Sequence, residues 1–206
     1  MLYSRADIKR QAKAVLHANY GTALVLVLLF SILLGALSAF TAGIAALILT
    51  GPIVVAMNWG LLNLYLGTPC GIGDAFNRGF SNVGRKIGGY LWMALFTFLW
   101  TLLFWVPGFV KSYSYAMTPY ILADLPDVDA KSALKLSMRM MSGHKMKLFV
   151  MQLSFLGWML LGVITFNILN ILYVIPYMQL SMAGFYANVK QDAINRGILV
   201  PVAAAY

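Results

Sequence analysis

Charge is scarce in this chain, and acidic charge scarcest: six Asp and Glu stand against 15 Lys and Arg, and charged residues make up only 10% of the 206. A soluble domain carries about a quarter. With 61% hydrophobic residues and a mean hydropathy of +0.80, the composition is that of an integral membrane protein. Cysteine is nearly absent. A single Cys70 excludes an internal disulfide and a thiolate metal cluster. The only histidines, His17 and His144, are far apart and nothing like HExxH occurs, so no metal site and no cofactor are expected. No Asp or Glu falls inside a long apolar run, and such carboxylates are the usual relays of ion-coupled transporters, which counts against active transport. The net charge of +9 would suit nucleic acid, but the basic residues flank apolar runs. Anionic headgroups and the positive-inside rule account for it, and no nucleic-acid partner is expected.

What is present is a division of the chain by charge. Residues 14–73 form a run of 60 without a charged side chain, and one membrane-crossing helix needs only about 20. Two spans fit, Tyr20 to about Phe40 and a second ending near Leu66, joined by small residues around Thr41 to Pro52 and closed by Gly67-Thr68-Pro69. Before them, residues 1–19 read as a basic interfacial helix: Ser4 and Asp7 form a capping box, Ile8, Ala12, Val15 and Leu16 an apolar stripe, and Gly21 a stop. A signal peptide cleaved between Ala36 and Ala42 is the alternative. Segment 74–86, with Arg78, Arg85 and Lys86, is expected on the membrane surface. Segment 87–123 is charged only at Lys111 and reads as a hairpin turning at Pro107-Gly108, because a single span would put the next basic loop opposite the basic amino terminus. Its second arm is short enough to be re-entrant. Segment 127–143 is a second basic interfacial helix ended by Gly143, segment 148–189 a third hairpin divided near Asn167 to Asn170 and kinked by Pro176, and 190–206 a polar tail. A basic segment before each hairpin, starting near Ser4, Asp74 and Asp127, with prolines at Pro52, Pro107 and Pro176, suggests a triplicated unit. The expected fold is therefore all-α and polytopic, with about six transmembrane helices in three hairpins and both termini on the cytoplasmic side.

Candidate functional residues form three groups. Lys111 with Ser112, Tyr113 and Tyr115 offers a cation and hydroxyls for an anionic ligand, or else a lysine snorkelling beside an aromatic belt. Asn58, Asn63, Asn167, Asn170 and Gln179 would line a polar path, or bond neighbouring helices. Lys131, Lys135, Arg139, His144 and Lys145 are placed to meet lipid headgroups. No serine has a recognisable base, which argues against an enzyme. Ser31, Gly35, Ala39 and Gly43 recur every fourth residue and suit close helix packing.

The stretch WTLLFWVPGFVKSYSYAMTPYILAD, then ALKLSMRMMSGHKMKLF, QLSFLGW and PYMQLSMAGFY, resembles the bacterial membrane family catalogued as domain of unknown function 975, over essentially the whole chain. Matching positions are Pro107, Gly108, Lys111, Tyr113, Ser114, Tyr115 and Tyr120, then Ser137, Gly143, His144, Lys145 and Phe149, then Trp158, Pro176 and Tyr177. The resemblance implies a multi-pass protein of a bacterial plasma membrane and supplies no catalytic residues. The functional expectation is a non-enzymatic protein that binds lipid, especially anionic headgroups, or an amphipathic partner, in envelope maintenance or as an accessory to transport. A homo-oligomer or another membrane protein would be its partner. The alternatives are a small permease or channel and, behind it, a membrane enzyme acting on lipid.

Overall fold

A computed structural model describes residues 4–40, 44–68, 70–103 and 105–199, so Thr41, Gly43 and Pro69 lie outside the described residues. All regular structure within them is helical. Helix α1 (Arg5–Ala18) begins as its sequence requires, with the Asp7 amide donating to the Ser4 hydroxyl and the Ser4 amide donating to the Asp7 carboxylate. Its stripe of Ile8, Ala12 and Leu16 is wholly buried. The stop comes earlier than Gly21. Asn19 closes α1 by donating to the Val15 carbonyl, and α2 (Tyr20–Phe40) starts at the next residue with Gly21 inside it.

Helix α3 (Ile44–Leu66) carries Pro52 in its interior instead of in the connection. Glycines explain what packs there: a Cβ on Gly51 would lie 2.6 Å from the Lys86 carbonyl oxygen, and one on Gly79 2.4 Å from the Ala56 Cβ. Only bare backbones come this close, so α4 (Ile72–Phe80) and the start of α5 (Val83–Leu103) lie against α3.

The turn expected at Pro107-Gly108 is not there, because both residues lie within α6 (Trp105–Tyr115). Gly108 supplies the close approach, since a Cβ there would meet Thr101 of α5 at 2.5 Å. The short α7 (Thr118–Asp124) is buried along almost its whole length. Asp129 then caps α8 (Ala130–Met140) by accepting from the amides of Lys131 and Ser132, and Gly143, at φ +80°, ends that turn of chain. Helices α9 (Lys145–Leu153) and α10 (Leu156–Ile164) follow, then a π-helical turn (Asn170–Val174) and α11 (Ile175–Asn195).

The main core joins α1, the end of α3, α7, α8, α9 and α11 around Leu61, Tyr120, Met140, Phe155 and Tyr186. Three described helical stretches are long and apolar enough to cross a membrane: Tyr20–Ala39, Ile48–Leu66 and Lys145–Ile164. The first and third are only 22% buried, against 56% for the second. Most of their apolar surface therefore faces outward.

Candidate functional site

The Lys111 group does not converge. The Lys111 ammonium lies 4.9 Å from the centre of the Trp100 ring, a cation–π contact of the kind that also serves anchoring. Ser112 donates to the Phe109 carbonyl one turn back (2.7 Å), and Tyr113 donates to the Gln152 side chain (2.7 Å). Tyr115 is buried in the core. Among the described residues, Lys111 keeps only its tryptophan.

The amides fall into separate places. Asn58 is buried in α3, and Asn63 donates to the Trp59 carbonyl while accepting from the Thr68 hydroxyl. Asn167 and Asn170 sit at the turn after α10, where the Asn170 amide donates to the Met159 carbonyl (3.2 Å) and to the Asn167 side chain (2.9 Å). A Cβ on Gly162 would lie 2.0 Å from Asn170 Oδ1, so this pairing requires glycine. Gln179 lies on α11, half-buried. Among the described residues no hydrogen bond joins the α3 amides to the pair at the turn.

Lys131, Lys135 and Arg139 are exposed along α8, with the Lys131 ammonium 5.2 Å from the centre of the Trp92 ring. Lys145 is half-buried at the start of α9. His144 departs from this group. It is buried, its Nε2 is 2.9 Å from an Asp192 carboxylate oxygen, and Arg196 bonds the same oxygen at 2.9 Å.

Several interactions have no signature in the sequence. Arg78, Arg85 and Lys86, expected at the membrane surface, turn inward onto backbone carbonyls. Arg85 donates to Leu122, Leu125 and Val128, and Arg78 to Ala123 (3.0 Å), so two guanidiniums close the carboxyl end of α7. This is where a helix dipole favours cations. Lys86, only 1% exposed, does the same for α4 by donating to the carbonyls of Arg78 and Ser81. Burial, then the charges of Arg85 and Arg78, lowers its ammonium to about 8. The Asp124 carboxylate accepts from Lys190 (2.6 Å) and from the buried Tyr186 hydroxyl (2.7 Å), beside a cavity of about 260 Å³ that Leu62 and Leu66 also line.

The sequence also gave no base for Ser154, yet the fold brings Lys9 to it across 145 positions, Nζ to Oγ 2.9 Å. The ammonium rests 4.3 Å from the centre of the Phe155 ring, and burial pushes it below the usual lysine range. Ser154 meanwhile donates its own proton to the Met151 carbonyl. The lysine is thus the donor to Oγ, the reverse of the arrangement in which a neutral amine takes a proton from a serine nucleophile.

Outward apolar helices and lysines beside aromatic rings define an all-helical protein suited to a membrane. Residues 75–193 match the family described as protein of unknown function (DUF975), and the chain belongs to that family. The match is shorter than the resemblance drawn from motifs, because α1, α2 and α3 precede it. No curated protein and no solved structure matches the chain.

Proposed function

We propose that this is a non-enzymatic, multi-pass protein of a bacterial plasma membrane that binds anionic lipid headgroups through a basic cytoplasmic face, in envelope maintenance or as an accessory to transport. One observation carries this reading: the exposed cations of α8, Lys131, Lys135 and Arg139, belong to a molecule whose α2 and α10 leave most of their apolar surface uncovered. The apolar hairpins, charged only at Lys111, enter the bilayer from the basic side and return to it, with both termini there.

Each basic residue near an anionic surface contributes roughly 1 kcal/mol. Native mass spectrometry of gently extracted protein should find retained anionic phospholipid, and a chain carrying Lys131→Gln, Lys135→Gln and Arg139→Gln should lose most of it. Equal retention by both sinks the proposal. Sidedness is tested at Cys70, half-buried beside α3 with its thiol 3.6 Å from the Gly60 carbonyl. An impermeant thiol reagent should leave it unlabelled from outside intact cells.

A further inference from the structure

The third hairpin, 148–189, has the residues for two full crossings, but the fold places a charged helix far along it. Lys9 of α1 lies over Phe155, and the Tyr177 hydroxyl donates to the Lys9 carbonyl (3.2 Å). His17, at the other end of α1 and exposed, has its ring 6.2 Å from that of Tyr173, and Tyr173 in turn is 6.3 Å from Trp158. Arg10 and Lys13, between Lys9 and His17, are exposed as well. Exposed cations of this kind do not sit within hydrocarbon. The level of Trp158, Tyr173 and Tyr177 is therefore the water–lipid boundary, where such rings concentrate.

Only residues 159–172 project beyond this collar, seven on each side of the turn. Seven helical residues rise about 10 Å, and the hydrocarbon core is about 30 Å thick. The projecting surface is apolar to its end, with Ile164 76% exposed and Phe166 92%. The turn also keeps all its amide hydrogens in use: Thr165 and Asn167 donate to the Gly162 carbonyl, Phe166 to Val163, Ile168 to Thr165 and Leu169 to the Thr165 hydroxyl. Water would satisfy those groups without such pairing, whereas lipid cannot.

We infer that this hairpin is a re-entrant wedge whose tip, around Phe166, lies among the acyl chains of the near leaflet and never reaches the far surface. Lys145–Ile164 is long enough to cross, but its first half is packed in the core behind the collar, at Leu148, Met151 and Phe155. The inference rests on the membrane placement proposed above and not on headgroup selectivity.

The test is Phe166→Cys in a Cys70→Ser background, with Ile164→Cys as a second reporter should the first fail to fold. On intact cells an impermeant maleimide should label neither above the cysteine-free level. After reconstitution in vesicles of mixed anionic and zwitterionic phospholipid, a bimane at either position should be quenched several-fold more by nitroxides on the acyl chains than by aqueous iodide. Labelling from outside would mean a full crossing and overturn the inference. Iodide quenching, or protection from both quenchers through contact with a second copy, would overturn it equally. Loss of anionic-lipid retention with acyl-chain quenching intact would remove only the headgroup reading.

Discussion

Pro176 has no amide hydrogen to give the preceding turn, and the Leu172 carbonyl four residues earlier is met instead by the Tyr20 hydroxyl at 2.8 Å. Tyr20→Phe removes that bond and should cost about 0.5–1.5 kcal/mol, read as a lower thermal midpoint in detergent. In a Pro176→Ala background the same change should cost distinctly less, since an amide is restored, and equal costs would refute the coupling. Lys86 gives a pH signature. Its ammonium titrates near 8 in the fold and at about 10.4 in a free chain, so the unfolded chain binds the proton more tightly. The resulting penalty is full below pH 8 and fades as pH rises towards 10.4. Stability should therefore increase across that window, and Lys86→Met should flatten the rise while lowering stability throughout. These residues mark the edge of what sequence could disclose. The Ser4–Asp7 box was legible because its two members lie three positions apart. Tyr20–Leu172 and the Arg85 carbonyl clamp were not, since a backbone carbonyl has no residue type, and neither was Lys9–Ser154, whose partners lie 145 positions apart.

At the scale of elements, glycine separates packed helices from bare ones. A Cβ on Gly184 of α11 would meet the Tyr65 ring at 2.4 Å, whereas one on Gly35 of α2 has nothing within 4 Å. Gly184→Ala should cost roughly 1–3 kcal/mol of stability by overpacking. Gly35→Ala should be neutral or slightly stabilising, and similar midpoints for both variants would contradict the packing. The stripe including Ser31, Gly35 and Ala39 suggested a helix contact, yet these three are exposed in the single chain. The uncharged run located α2 and the end of α3, and α8 was legible because apolar and basic residues alternate there at the helical period. The stops at Gly21 and Pro107 were misplaced: Asn19 ends α1 first, and Pro107 lies within α6.

Over the whole molecule, the segment that defines the family, 75–193, does not enclose its own core. Ile8, Ala12 and Leu16 of α1 are fully buried in it together with Leu61 and Leu62 of α3. Removing residues 1–18 takes that stripe away and uncovers the face of α11 packed against it, and burying a single Ile or Leu is worth about 1.5–3 kcal/mol. The shortened chain should lose several kcal/mol and become sensitive to protease near Phe155 and Tyr177. An unchanged digestion pattern would show that α1 is dispensable to the core. The charge pattern yields an expected sidedness for the segments, which labelling at Cys70 tests. It could not give their depth, because residue counting assumes that every apolar stretch starts at the same membrane level.

The bond from Tyr20 to Leu172 spans 152 positions, and time therefore enters the structure. A ribosome adding about 5–20 residues per second needs on the order of 10–30 s to make the carbonyl that Tyr20 will bond. Throughout that interval α1 is already synthesised, with its apolar stripe facing no α11. The amphipathic helix has one surface that suits it meanwhile, the bilayer itself, and its docking against the last hairpin becomes the closing event of biogenesis.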